Sequence, residues 1–187
     1  ILENMRDKIG RYKDRDRYLS VSLDIVDEMN QIVLEILSLS SVQELAGDKE
    51  WIQLDQVVEQ ILDQYKVLAQ SRALTIDNQI PDKAVYMDPA ILKLVLSNVI
   101  SNAVKHSDAG GEIQLRLEEE GTHLAIENTS QEMVEIVEMP MTASRQKKEG
   151  GLGLFVVQHL LDHEELAYQF DKTAMGLRFR MELPKDP

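Results

Sequence analysis

The sequence predicts an α+β fold: a two-layer sandwich with helices on one face of a mixed β-sheet, preceded by a separate helical segment. Three observations predict it. Residues 18–39 hold neither Gly nor Pro and place Leu19, Leu23, Val26, Met29, Val33, Ile36 and Leu37 at steps of three and four, the stripe of an amphipathic helix. From Trp51 onward, segments that alternate apolar and polar residues interleave with segments of helical period, the pattern of mixed α and β layers. Between the two regimes, Gly47-Asp48-Lys49-Glu50 breaks the periodicity and marks a boundary. The chain therefore divides into residues 1–46 and residues 49–187.

The N-terminal part reads as follows. Residues 1–9 could be the end of a preceding helix, and residues 11–17 form a polar connector. In the helix that follows, Ile25, Ile32 and Leu39 add a second stripe at steps of seven. The two stripes together make an apolar arc wider than a two-helix seam needs and suited to a four-helix bundle. Two readings stay open on periodicity alone: a surface helix packed on its own domain, or one arm of a dimerising helical hairpin.

The second part is taken element by element. Trp51-Ile52-Gln53-Leu54 alternates as a short strand, and Val57, Val58, Ile61, Leu62, Tyr65 and Leu68 define a helix. Residues 73–80 alternate again and stop at Pro81, and residues 83–87 form another short strand. Asp88-Pro89 is a strong helix start, Asp as N-cap and Pro in the first turn. Ile91, Leu92, Val95, Val99 and Ala103 carry that helix to the Ser107–Gly111 turn region. Residues 112–118 and 123–128 make a hairpin around Gly121, residues 153–161 a helix, and residues 166–170 and 177–183 a closing hairpin around Gly176.

Composition narrows the function classes. The 187 residues suit one ordinary domain with an appendage. With no Cys, disulfide scaffolds, zinc ribbons and thiol nucleophiles are excluded. The longest apolar runs are a few residues, as in Leu94-Val95-Leu96, whereas a membrane helix needs about 20. Residues 1–7 offer no apolar core of a signal peptide, and the absence of an initial Met suggests a piece of something longer. A net charge of −13 argues against broad nucleic-acid binding. That charge is uneven: residues 1–17 carry +2 and the remaining 170 carry −15, with one basic cluster, Arg145, Lys147 and Lys148, set in the acidic part.

Two constellations carry chemistry. On the helix after Asp88, Asn98 and Asn102 stand one turn apart, with Lys105 and His106 three and four residues further on, so all four project from a similar side. Asn is a mediocre helix former. Aligned Asn residues are either a polar stripe tied to solvent or local backbone, or neutral oxygen donors for a hard cation beside phosphate. Lys105 would be a point charge on a phosphate oxygen. The second constellation is Lys147-Lys148-Glu149-Gly150-Gly151-Leu152-Gly153-Leu154. Its glycines open a helix and let backbone N–H groups approach an anion.

The run Leu96-Ser97-Asn98-Val99-Ile100-Ser101-Asn102-Ala103-Val104-Lys105-His106-Ser107 resembles the N box of sensor histidine kinases, and Gly151-Leu152-Gly153-Leu154 resembles the second half of their G2 box. The resemblance covers about residues 49–184 as the ATP-binding domain of the GHKL type shared by gyrase, MutL and Hsp90. The N-terminal helix is similar to the second arm of the dimerisation and histidine-phosphotransfer hairpin. Residues 11–40 look most like Gram-positive sensor kinases related to those of vancomycin resistance.

The resemblance implies a set of roles. Asn102 would coordinate Mg²⁺ with Asn98 assisting, and Lys105 would touch phosphate with His106 near the nucleotide. Gly151 and Gly153 would end the lid and let the backbone approach the phosphates, with Leu152 and Leu154 beside them at the nucleotide, and Arg145, Lys147 and Lys148 would lie in the lid over ATP. The first N box position is Glu in the hydrolytic relatives, where it activates water. Asn98 cannot be a general base, so the site is expected to hold ATP for transfer to another nucleophile.

Three departures accompany the resemblance. The G1 box, Asp-x-Gly-x-Gly, is replaced by Asn128-Thr129-Ser130-Gln131-Glu132-Met133. Asn128 stands in for the Asp that accepts from the adenine amine, and Ser130 and Glu132 replace glycines. The F box lacks its Phe, leaving Glu138-Met139-Pro140-Met141, and the lid is short. With a charged bond made neutral at Asn128, the resemblance implies ATP binding weaker than in the family at large by about 1–2 kcal/mol.

The four histidines, His106, His123, His159 and His163, stand in no His-Glu or His-Asp context followed by Pro, so the phosphoacceptor is expected upstream of Ile1. His159 and His163, one turn apart on a helix, form a conceivable metal pair or, more ordinarily, a solvated helix face. The resemblance thus implies a homodimeric kinase core in the cytoplasm of a bacterium, membrane-anchored through other segments. It would use ATP and Mg²⁺ and pass phosphate to a response regulator. The alternative is a degenerate core acting as a scaffold or phosphatase partner of that regulator.

Overall fold

A computed structural model describes residues 47–130 and 152–185. The N-terminal arm (1–46), Arg145, Lys147, Lys148, Gly151 and the F-box remnant at 138–141 lie outside the described residues.

The elements run β1 (Glu50–Gln53), α1 (Leu54–Ser71), β2 (Thr75–Asn78), β3 (Ala84–Met87), α2 (Pro89–His106), β4 (Glu112–Glu118), a 3₁₀ turn (Glu119–Gly121), β5 (His123–Thr129), α3 (Leu152–His163), β6 (Tyr168–Lys172) and β7 (Gly176–Glu182). Five strands form one sheet in the order β2-β4-β5-β7-β6. β2 and β4 run parallel and every other pair is antiparallel, so the sheet is mixed, as the sequence predicts.

The structure settles a pairing that the sequence reading left open. β1 and β3 do not join this sheet; they pair antiparallel with each other as a two-stranded ribbon. Each runs straight into a helix, β1 into α1 and β3 through Asp88 into α2, and the Leu54 N–H extends the ladder to the Lys83 carbonyl at 2.9 Å. Trp51 and Tyr86, opposite each other on the ribbon, bring their ring centroids to 5.5 Å. Two boundaries shift as well. Leu54, predicted to end a strand, is fully buried as the first residue of α1. The strand predicted over 73–80 shrinks to Thr75–Asn78, because Ala73 takes a left-handed φ of 53° where the chain turns out of α1.

Pleat parity divides the large sheet into two unlike faces. Ile113, Leu115, Leu124, Ile126, Phe179 and Met181 share one face and are all nearly inaccessible. Helix α2 covers that face through Ile91, Leu92, Val95, Leu96, Val99, Ile100, Ala103 and Val104, all buried, and touches α1, α3 and β5. The opposite face is a charge ladder. Arg116 reaches Glu127 at 3.2 Å and Glu118 at 3.1 Å, and Arg178 reaches Asp171 at 3.2 Å. At the sheet edge, burial and the Asp162 carboxylate push the Tyr168 phenol up to about 12, which keeps it a proton donor. No helix among the described residues is long and apolar enough to cross a membrane.

Asp88 starts α2 as predicted and does more. Its Oδ1 accepts from the N–H groups of Ala90 (2.7 Å) and Ile91 (3.4 Å), and its Oδ2 accepts from the N–H of Gly47. The carboxylate is 2% exposed, so truncation leaves three donors without it. Asp88→Ala should cost about 1–2 kcal/mol of stability in urea denaturation, the upper range for a lost N-cap, with Asp88→Asn losing clearly less. Equal losses for the two variants would show that packing, not capping, fixes this residue.

Candidate functional site

Asn98 and Asn102 emerge half-buried from α2, between the buried stripe and the solvent side. The Asn98 amide donates to the Leu94 carbonyl at 2.8 Å, so the local-backbone reading holds for its nitrogen. Its oxygen remains an acceptor and meets the start of α3. A Cβ added at Gly153 would fall 2.7 Å from Asn98 Oδ1 and 3.8 Å from Asn102 Nδ2. The Asn pair and Gly153 at the start of α3, some 50 residues apart in sequence, therefore share one place. Glycine at 153 is what allows the first turn of α3 to seat against the Asn pair.

The end of α2 is closed on itself and wired to two other elements. Ser107 donates its N–H (3.1 Å) and its hydroxyl (2.6 Å) to the Ala103 carbonyl. The Arg72 guanidinium, just past α1, donates to the Ser107 carbonyl at 2.6 Å. The Asp108 N–H donates to the Thr129 carbonyl at the end of β5, 3.0 Å away. Lys105 and His106 stand exposed on this last turn, facing solvent more than the Asn pair does.

Those bonds set the end of β5, with Asn128, beside the end of α2. Asn128 shares the apolar face with Ile126 and Leu124, between its cross-strand partners Ile113 and Leu177. It is 5% exposed, and its Nδ2 finds no hydrogen-bond partner among the described residues. A buried donor left unpaired costs about 1–3 kcal/mol. Beyond it, Ser130 is half-buried, with its N–H directed at the Met175 carbonyl, 3.4 Å away. Leu152 begins α3, and Leu154 is half-buried in its first turn.

Of the histidines outside α2, His159 and His163 lie one turn apart on α3 and His123 lies on β5. His123 sits on β5 with Nδ1 2.9 Å from the Thr122 hydroxyl, and His163 lies 3.5 Å from the Glu164 carboxylate. No three metal-ligating side chains cluster among the described residues.

Three features escape sequence reasoning. One is the second oxygen of Asp88 on Gly47, and another is the Arg72 strap on Ser107. The third is Gly176, where an added Cβ would lie 2.2 Å from the Asn128 carbonyl oxygen and 2.4 Å from the Ser130 nitrogen. The sequence marks Gly176 only as a turn residue; nothing local in it signals which backbone it must pass.

The buried helix bearing two aligned Asn, Gly153 seated on them and the one-sided mixed sheet fit a nucleotide-binding ATPase class. Residues 87–187 match the family described as histidine kinase-, DNA gyrase B- and HSP90-like ATPase, and the chain belongs to that family. Within it, the chain carries the catalytic ATPase domain of a sensor histidine kinase. It is 33% identical over 192 aligned residues to the sensor histidine protein kinase HK06 of Streptococcus pneumoniae, an alignment covering 98% of this chain and 43% of that protein. It is 29% identical to the sensor protein VanSB of Enterococcus faecalis, over 98% of this chain and 44% of the relative. The histidine kinase AdeS of Acinetobacter baumannii has a similar fold, with a TM-score of 0.70 at 21% identity, over 100% of this chain and 92% of that one. The chain spans less than half the length of the two sensor proteins it matches.

Proposed function

We propose that this chain is the kinase core of a homodimeric sensor histidine kinase of a bacterial plasma membrane, its ATP-binding domain facing the cytoplasm. It binds Mg²⁺–ATP and passes the γ-phosphoryl group to a histidine on the dimerisation hairpin, from which an Asp of a response regulator receives it. The observation that carries this reading is the seat of Gly153 on Asn98 and Asn102, which joins the two nucleotide boxes in one site.

The donor set suits the metal. Asn102 and the Oδ1 of Asn98 are neutral oxygen donors that add no repulsion beside a triphosphate. Asn102 and Asn98 would hold Mg²⁺ there, and the bound cation would supply positive charge that offsets that of the triphosphate. Lys105 adds a positive charge from the exposed last turn of α2, and the N-terminus of α3 offers backbone N–H groups to phosphate. Asn98 supplies no base to water, so the residues at hand position ATP and stabilise its charge rather than hydrolyse it. In this reading residues 1–46 form the second arm of the hairpin and 49–187 the catalytic domain. Arg145, Lys147, Lys148 and Gly151 act from the lid, with His106 at its edge.

The test is to mix the chain with Mg²⁺–ATP and a separately supplied acceptor hairpin from HK06, then assay for acid-labile phosphohistidine. Formation of phosphohistidine is the expected result. ATP binding without any transfer would overturn the kinase reading. Loss of ATP binding with regulator binding intact would favour a degenerate scaffold.

A further inference from the structure

Gly153 meets Asn98 with little room to spare, since an added Cβ would fall 2.7 Å from Asn98 Oδ1. A slide of α3 along its axis by about one ångström would undo that fit. The buried residues of α3, Val156, Val157, Leu160 and Leu161, hold it sideways through apolar contact, which is non-directional and sets axial position only weakly. A directional contact stands at the far end. Glu164, one residue past α3, has a side chain that is 4% exposed. Its Oε2 takes the Lys49 ammonium at 2.8 Å, and its Oε1 faces His163 Nδ1 at 3.5 Å.

Lys49 follows two residues after Gly47, whose N–H is held by Asp88 Oδ2 at the start of α2. Two residues of extended chain span at most about 7 Å, so the start of α2 and the end of α3 lie at one end of the helix pair. The spans agree, with about 15 Å of helix from Asp88 to Asn98 and about 16 Å from Gly153 to Glu164. The two helices therefore run antiparallel, joined at Asn98 and Gly153 and tied across their other ends by Gly47, Asp48 and Lys49. We infer that Lys49 and Glu164 are positioning residues for the nucleotide site: their ion pair sets the axial position of α3, and with it the seat of Gly153 on Asn98. Neither side chain reaches the site; both act through α3. An exposed ion pair would have little hold, but the Glu164 carboxylate is out of water. Without Lys49 it would lose its cation while buried, and the end of α3 would shift to hydrate it. This inference rests on the nucleotide-binding reading above and adds residues that govern the same site from a distance.

Two measurements on the whole chain test it, the first without ligand. Melting temperatures are compared for Lys49→Met, Gly153→Ala and the two combined. Substitutions about 16 Å apart along a helix ordinarily add. Here the combined loss should fall clearly short of the sum, because Gly153→Ala has already lifted the first turn of α3 from Asn98. Additive losses overturn the inference and leave the nucleotide reading standing. The second measurement is affinity for a fluorescent ATP analogue with Mg²⁺ present, at a temperature where each variant is folded. Lys49→Met should bind about tenfold more weakly, within the range of coupling between linked residues. Lys49→Arg keeps the cation and should stay within about threefold of the unmodified chain. Unchanged affinity in folded Lys49→Met overturns the inference while ATP binding stands. Absence of analogue binding by the unmodified chain overturns the nucleotide reading and this inference with it. Should Lys49→Met fail to fold, Glu164→Gln, of the same shape and uncharged, takes its place in both measurements.

Discussion

Gly176→Ala is expected to destabilise the domain by about 3 kcal/mol or more, at or above the upper end for overpacking a well-filled site. The added methyl would lie 2.2 Å from the Asn128 carbonyl oxygen, 2.4 Å from the Ser130 nitrogen and 3.1 Å from the Thr129 carbonyl carbon. All three are backbone atoms, so no side chain can swing aside. Relief requires β7 to part from β5 where Thr129 faces Gly176. For a chain of this size the melting point should fall by about 6–12 °C. Nucleotide affinity should fall as well in whatever fraction stays folded, because the strain is delivered to Asn128. A melting point within about 2 °C of the parent would show that the end of β5 yields freely and does not hold Asn128 in place.

Asn102→Ala is expected to reduce phosphohistidine formation by about a hundredfold to a thousandfold, the loss typical of removing one preorganised electrostatic contact. Fold stability should change little, since Asn102 is half-buried and lies beside the apolar stripe of α2 rather than in it. Asn102→Asp separates charge from shape. It keeps the oxygen but sets a negative charge beside the triphosphate, so ATP affinity itself should drop. Titration with Mg²⁺ at fixed ATP is the discriminating measurement. Parent-like rates and Mg²⁺ dependence in both variants would remove Asn102 from the metal site.

The elements of the catalytic domain were legible because they follow local rules. Asp88-Pro89 announces α2 through capping chemistry, and the alternation in β4, β5 and β7 follows from a sheet with one dry face. The separation of β1 and β3 from the main sheet was not legible, since strand pairing is decided by partners far away in sequence. The same division runs through the site. Asn98, Asn102 and Gly153 could be picked out by type and spacing, but their contact is a tertiary fact. Asn98 also shows both readings of a helical Asn in one side chain, its nitrogen spent on Leu94 and its oxygen kept. Gly176 carried no local sign of its role, because its clearance depends on backbone some 46 residues earlier.

The seat of Gly153 on Asn98 has a consequence for idle turnover. A glutamate at 98 would bring a general base but also one more methylene, and the space beside Asn98 Oδ1 is already too small for a methyl on Gly153. The longer side chain would have to push the first turn of α3 off α2 before it could activate a water. Asn98→Glu alone is therefore expected to disturb the seating of α3 on α2, read as a fall in melting temperature, before it adds any hydrolysis at the proposed site.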